Sequence, residues 1–204
     1  MTQAQRAELS LLVHSMRKLR EALIATSRTD LFAQRAYIFI SQSTLLLSDW
    51  ASYLPTITHL LRVIHPINPL PDHELRDAVH ALILDLACRQ KRLDEALRVR
   101  RRYARLRDAK VDNVLKALVN GDWVLFFRTR RVVDGYLRNV MGFAVDGVRV
   151  HALKCLGRSY LSVDKAFLER GVDLKWEELV EMGVGWELDD GGKITIRRVV
   201  AKTK

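Results

Sequence analysis

The sequence predicts a mainly α-helical protein. A stack of antiparallel helices occupies residues 1–145, and a smaller helix-and-hairpin module occupies residues 146–204. Three observations lead there. Apolar residues recur at steps of three and four through most of the chain. The breaks between these stripes are short and polar, as antiparallel neighbours require. Near the C-terminus the period changes from helical to alternating, around an Asp-Asp-Gly-Gly turn.

Residues 3–26 read as an amphipathic helix with Leu9, Leu12, Val13, Met16, Leu19, Leu23 and Ile24 in one stripe. Ser27 to Asp30 carry N-cap chemistry for a second helix, 31–47, whose apolar character runs nearly all round and predicts a central position. Ser48 or Asp49 caps a third helix, 50–64, in which Pro55 is tolerable only near the start. Pro66, Pro69 and Pro71 then predict a rigid corner without helix over residues 65–72. Asp72 is expected to cap the next helix, 74–89. Residues 93–106 follow as another, with Ala96, Val99, Tyr103 and Leu106 inward. Helix pairs of this kind make a TPR-like array in architecture, without a strict repeat.

The stretch 111–141 carries the tightest aromatic cluster of the chain, Trp123, Phe126 and Phe127. Val111, Val114, Leu115 and Leu118 form a helical stripe, Asn120-Gly121 supplies a left-handed stop, and Asp122 is placed as the next N-cap. Trp123, Phe126 and Phe127 follow, so Gly121, Trp123, Phe126 and Phe127 are expected to form a structural junction packed from both sides. Beyond it, residues 148–160 read as a helix. Ser162 is expected to cap a short helix, 163–170, ended by Gly171, and a second short helix covers 175–182. Residues 184–200 complete the chain as a β-hairpin, with Ile194 and Ile196 alternating. Three helices and a hairpin in this order predict a winged helix.

The run Ala-Leu-x-x-Gly-Asp-Trp-Val-x-Phe-Phe-Arg, here Ala117 to Arg128, resembles the PCI domain. The nearest form is that of the SAC/GANP group and its relatives, the small signalosome, proteasome-lid and initiation-factor-3 k subunits. In that family the pattern closes a helical stack and leads into a winged helix, the order read above from other residues. The resemblance implies a non-catalytic scaffold subunit of a multi-protein complex, in RNA processing or mRNA export, with a small signalosome, proteasome-lid or translation-initiation-factor-3 subunit as the alternative. It also implies other subunits, themselves PCI-type, as partners paired through the winged helix. Little of the chain is left for the N-terminal extensions of the larger SAC proteins, which weakens a specific export role.

Charge narrows the partners further. The chain carries 34 Lys and Arg against 24 Asp and Glu, a net +10, which favours nucleic acid or acidic protein surfaces. Arginines concentrate in residues 89–110, where Arg98, Arg101, Arg102 and Arg105 are expected on one face of a helix. Arginine suits a bidentate grip on phosphate or carboxylate, although the same residues also read as a solvated face or as pairs with distant acids. Lys193, Arg197, Arg198 and the tail lysines Lys202 and Lys204 make the hairpin a second basic surface. Glu177, Glu178 and Glu181 on the third helix of the module would repel phosphate, which argues against base reading by that helix and against an autonomous winged-helix nucleic-acid-binding protein.

No nucleotide-binding loop, metalloprotease motif or nucleophile elbow is present, so no enzyme activity, cofactor or small-molecule substrate is expected. His59, His65, His73 and His80 show no zinc spacing, and Asp189-Asp190 reads as the hairpin turn, not a cation loop. Cys88 and Cys155 make no disulfide framework and read as buried free thiols at apolar helical positions. The N-terminus lacks signal-peptide features and no apolar run reaches the ~18 residues of a membrane span. An intracellular chain, nuclear and/or cytoplasmic, is expected.

Overall fold

A computed structural model describes residues 3–197. Arg198, Lys202, Lys204 and the end of the expected hairpin lie outside the described residues. The fold is mainly helical, with one small antiparallel sheet of three strands.

Helix α1 (Gln3–Ala25) buries only part of its expected stripe, through Met16 and Leu23, while Leu11, Leu12 and Ile24 stay exposed. Its Arg17 and Arg20 reach the start of the third helix, at Asp49 (3.0 Å) and the Ser52 carbonyl (3.0 Å). Helix α2 (Leu31–Leu47) starts where Asp30 accepts from the Ala33 N–H and stops at Ser48 in the left-handed region. Its all-round apolar character does not make it central. Tyr37, Ile40 and Leu45 are buried, but Leu31, Phe32, Phe39 and Leu46 are exposed, because neighbours cover a single face.

Asp49 caps α3 (Trp50–His59), which passes into a π-helical turn, Leu60–Ile64, and then into α4 (His65–Ile67). Here the expected corner is wrong in part, because the helix continues through Pro66. The π turn widens the backbone, with the His65 N–H bonding the Leu60 carbonyl, just before the residue whose ring would crowd an ordinary turn. The corner proper is Asn68 to Pro71, closed by a 3.0 Å bond from the Leu70 N–H to His65 Nδ1.

Helix α5 (Asp72–Leu84) places Asp72 inside the first turn, with Pro71 at the cap position. A second π turn, Asp85–Arg89, ends it around a fully buried Asp85 held by Arg89 (2.5 and 3.0 Å) and Gln90 (2.6 Å). Helix α6 (Leu93–Arg102) is shorter than expected. Tyr103 leaves helical geometry, and Leu106 reaches the core from a turn, where its carbonyl accepts from His80 Nε2 at 2.8 Å.

Helices α7 (Ala109–Asn120) and α8 (Trp123–Val132) meet as the sequence predicts. Gly121 is left-handed at φ +66°, and Asp122 accepts from the Leu125 N–H. Helix α9 (Gly135–Ser159) is the largest departure. It is one unbroken helix where a module starting at residue 146 and a helix starting at 148 are expected. Val140, Met141 and Val145 lie in the larger core, and Ala152 and Leu156 in a smaller one. Packing at both ends outweighs the helix cost of Gly142 and Gly147, about 1 kcal/mol each.

After α9 the expected helix start at Ser162 is instead a strand, β1 (Ser162–Asp164). Then come α10 (Lys165–Val172), α11 (Trp176–Glu181), β2 (Glu187–Leu188) and β3 (Lys193–Thr195). Gly171 does not end α10, which closes at Asp173 in the left-handed region. The sheet order is β1-β3-β2, with Val163 opposite Ile194 and both buried.

Candidate interaction surfaces

The aromatic junction joins the two cores. Phe126 and Phe127 are buried in the larger one, edge to face at 5.4 Å between centroids. Trp123 is half-buried, less than the sequence predicts, because it sits on the seam and packs against both cores. Its indole meets His151 edge-on at 6.1 Å, and Gly121 comes so close that a Cβ there would lie 2.6 Å from His151 Nε2. Charged side chains fasten the same seam. Arg130 and Arg131 both pair with Asp173 (3.5 and 3.2 Å), and Arg149 donates to the Val172 and Asp173 carbonyls.

The arginines of 89–110 divide by their fates. Arg89 is spent on buried Asp85, and Arg92 on Glu95. Arg100 grips Asp112 with two nitrogens, and Arg107 joins it at 3.3 Å. The Arg100 hydrogen bonds hold the Asp112 carboxyl below the ordinary carboxylate value of 3.8, against the opposing effect of burial. The four expected surface residues are indeed exposed, but not as one helical face. The helix ends at Arg102, so Arg105 lies beyond it and pairs at 3.6 Å with Asp72. Arg98 makes an exposed pair with Asp94 at 3.2 Å. Arg102 lies over the Tyr103 ring, and Arg101 has no ion pair among the described residues. The free charge of this segment is therefore smaller than its arginine count.

The second basic surface belongs to the smaller core, whereas α6 flanks the larger, so the structure does not merge the two sets. Lys193 is exposed on β3. Arg197 Nη2 donates to the Arg158 carbonyl at 2.7 Å, satisfying the last turn of α9, so its first role is a helix cap. On α11, Glu177 pairs with Lys165 at 2.9 Å, and Glu178 accepts from the Lys175 N–H. Large apolar side chains stand exposed in the C-terminal helices and strands and their connections: Tyr160, Leu161, Phe167, Val180, Met182 and Leu188.

The two thiols differ. Cys88 is buried and its pKa is pushed up to about 12, by burial first and by Asp85 second. Cys155 is half-buried, with its sulfur 3.6 Å from His151 Nε2. His65 and His80 are already engaged in backbone hydrogen bonds.

One feature no sequence pattern signals is a cavity of about 460 Å³ between α2, α3, α5, α9 and the start of α7. Its lining comes from segments far apart in the chain. Among the described residues no helix is long and apolar enough to cross a membrane, and no group of three His, Cys, Asp or Glu side chains is arranged to hold a metal. No protein-family model matches the chain, and no curated protein matches its sequence.

Proposed function

We propose that this chain is a non-catalytic, PCI-type scaffold subunit of a multi-protein complex that serves RNA processing or mRNA export. The observation that carries the reading is the order of its parts. A run of helices leads through the aromatic Gly121–Phe127 junction into helix, strand, helix, helix, strand, strand, with a β1-β3-β2 sheet. That order supports a winged helix after a TPR-like stack. Short edge strands and the exposed apolar side chains beside them favour pairing with another subunit.

The test is co-purification of the tagged full-length chain with its partner subunits. Met182→Asp with Leu188→Asp places charge on exposed apolar positions, so the fold survives while stoichiometric partners are lost. A variant that keeps every partner removes the sheet as the assembly module.

RNA contact through α6 is a second, weaker activity of the same subunit, favoured by Arg101 and Arg102, which have no acidic partner among the described residues. Replacing Arg98, Arg101, Arg102 and Arg105 by Glu should abolish RNA binding and its steep salt dependence, measured by anisotropy at two salt concentrations. RNA binding that survives with the same salt slope eliminates this surface. Loss of partner binding alone assigns it to assembly. The acids of α11 speak against an autonomous DNA-reading role.

A further inference from the structure

The cavity between α2, α3, α5, α7 and α9 has the size of a small-molecule site. Its inner wall is apolar: Leu45, Ile57, Leu60, Ala81 and Leu137 are all buried side chains that line it. Its polar lining has the opposite sign to the rest of the protein. Asp77, Asp108 and Asp134 outnumber Arg76 and Lys110, on a chain of net charge +10, and Glu74 is neutralised by Arg35. Neither Asp77 nor Asp134 has an ion pair among the described residues. Both side chains are exposed and line the cavity, so they form its rim; partial burial raises the Asp77 carboxyl, His80 opposes that, Asp134 adds to it, and His73 and Arg76 oppose it further.

Two lining residues also hold unpaired oxygens. Tyr53 is wholly buried and its hydroxyl has no hydrogen-bond partner among the described residues; Glu74 Oε2 is likewise buried and unbonded. Burial keeps the Tyr53 hydroxyl un-ionised. The Tyr53 hydroxyl can donate as well as accept, whereas the Glu74 oxygen only accepts. An apolar wall beneath a rim with more carboxylates than cations describes one ligand chemistry.

We infer that this cavity binds a small amphipathic organic cation, with an ammonium group at Asp77 and Asp134 and an apolar or aromatic body against Leu45, Ile57, Leu60 and Leu137. Such a ligand bridges five helices. It also touches two N-caps, because Asp108 opens α7 and Asp134 opens α9, the helix shared by both cores. Binding therefore stabilises the stack and its connection to the C-terminal sheet. The inference stands apart from the scaffold reading, since either can fail alone.

The test uses the full-length chain with tryptamine and 4-phenylbutylamine as probes, and indole-3-propionate and 5-phenylpentanoate as anions of similar shape. Calorimetry and thermal unfolding read the binding. Both amines should bind and raise the melting temperature, with affinity at least about tenfold above the acids. Asp77→Asn with Asp134→Asn should erase that preference, and Asn at 134 still caps α9, so the fold is kept. Ala78→Phe, at a half-buried wall position, should block both amines while circular dichroism stays unchanged. The inference is overturned by three results: neither amine binds, amines and acids bind alike, or binding survives both the Asn pair and Ala78→Phe.

Discussion

Replacing Gly121 by Ala probes the junction between the two cores. Gly121 sits at φ +66°, where an L-residue costs about 1–2 kcal/mol. The new Cβ would also lie 2.6 Å from His151 Nε2, roughly 1 Å short of van der Waals contact. Trp123 stands edge-on to the imidazole at 6.1 Å and Cys155 Sγ lies 3.6 Å away, but the His151 side chain is exposed, so it gives way by turning toward solvent. Turning it off its rotamer costs a further ~0.5–1.5 kcal/mol. Ala restricts the unfolded chain more than Gly does, which offsets part of this. The net loss should be about 2 kcal/mol, read as a lower urea midpoint at unchanged slope. The double variant Gly121→Ala/His151→Ala separates the two terms. It should recover about 1 kcal/mol relative to the sum of the single variants, and the left-handed cost should persist. Gly121→Ala within about 0.5 kcal/mol of the parent would refute the reasoning. Strict additivity with His151→Ala would refute its steric half.

Phe127→Ala should cost ~3–5 kcal/mol, because the ring is buried in the larger core. Trp123→Ala should cost less, being half-exposed, but should lower the cooperativity of unfolding by cutting contacts to both cores; an equal loss with an unchanged denaturant slope would contradict the seam position. Asp112 has a lowered folded-state pKa, so its stabilisation is fully present above about 3.8 and is lost as pH falls through the lowered value. The stability gap between the parent and Asp112→Asn should therefore close in strong acid, and a gap that widens there would reverse the assignment. In the native protein, iodoacetamide should label Cys155 and spare Cys88, whose thiol is buried and raised to about 12; mass spectrometry showing native labelling of Cys88 would place it at the surface.

Much of the helical framework is written locally. Asp30, Asp49 and Asp122 act as N-caps, and Gly121 as a stop, through hydrogen bonds and dihedral preferences within four residues. Periodicity likewise placed Phe126, Phe127, Leu106 and Val114 in the core. Tertiary contacts decided what local terms left balanced. Ser162–Asp164 has N-cap chemistry in isolation but becomes β1 because Ile194 and its neighbours pair with it from thirty residues away. Gly142 and Gly147 weaken a helix, yet α9 runs on because a core covers each half. The arginines show the same division. Composition reveals their number, but Arg100 is consumed by Asp112, Arg130 and Arg131 by Asp173, and Arg197 by the end of α9, and it is the fold that leaves Arg101 and Arg102 without acidic partners among the described residues. The cavity is the extreme case, for its wall draws residues from five helices, and no spacing along one chain records that they meet.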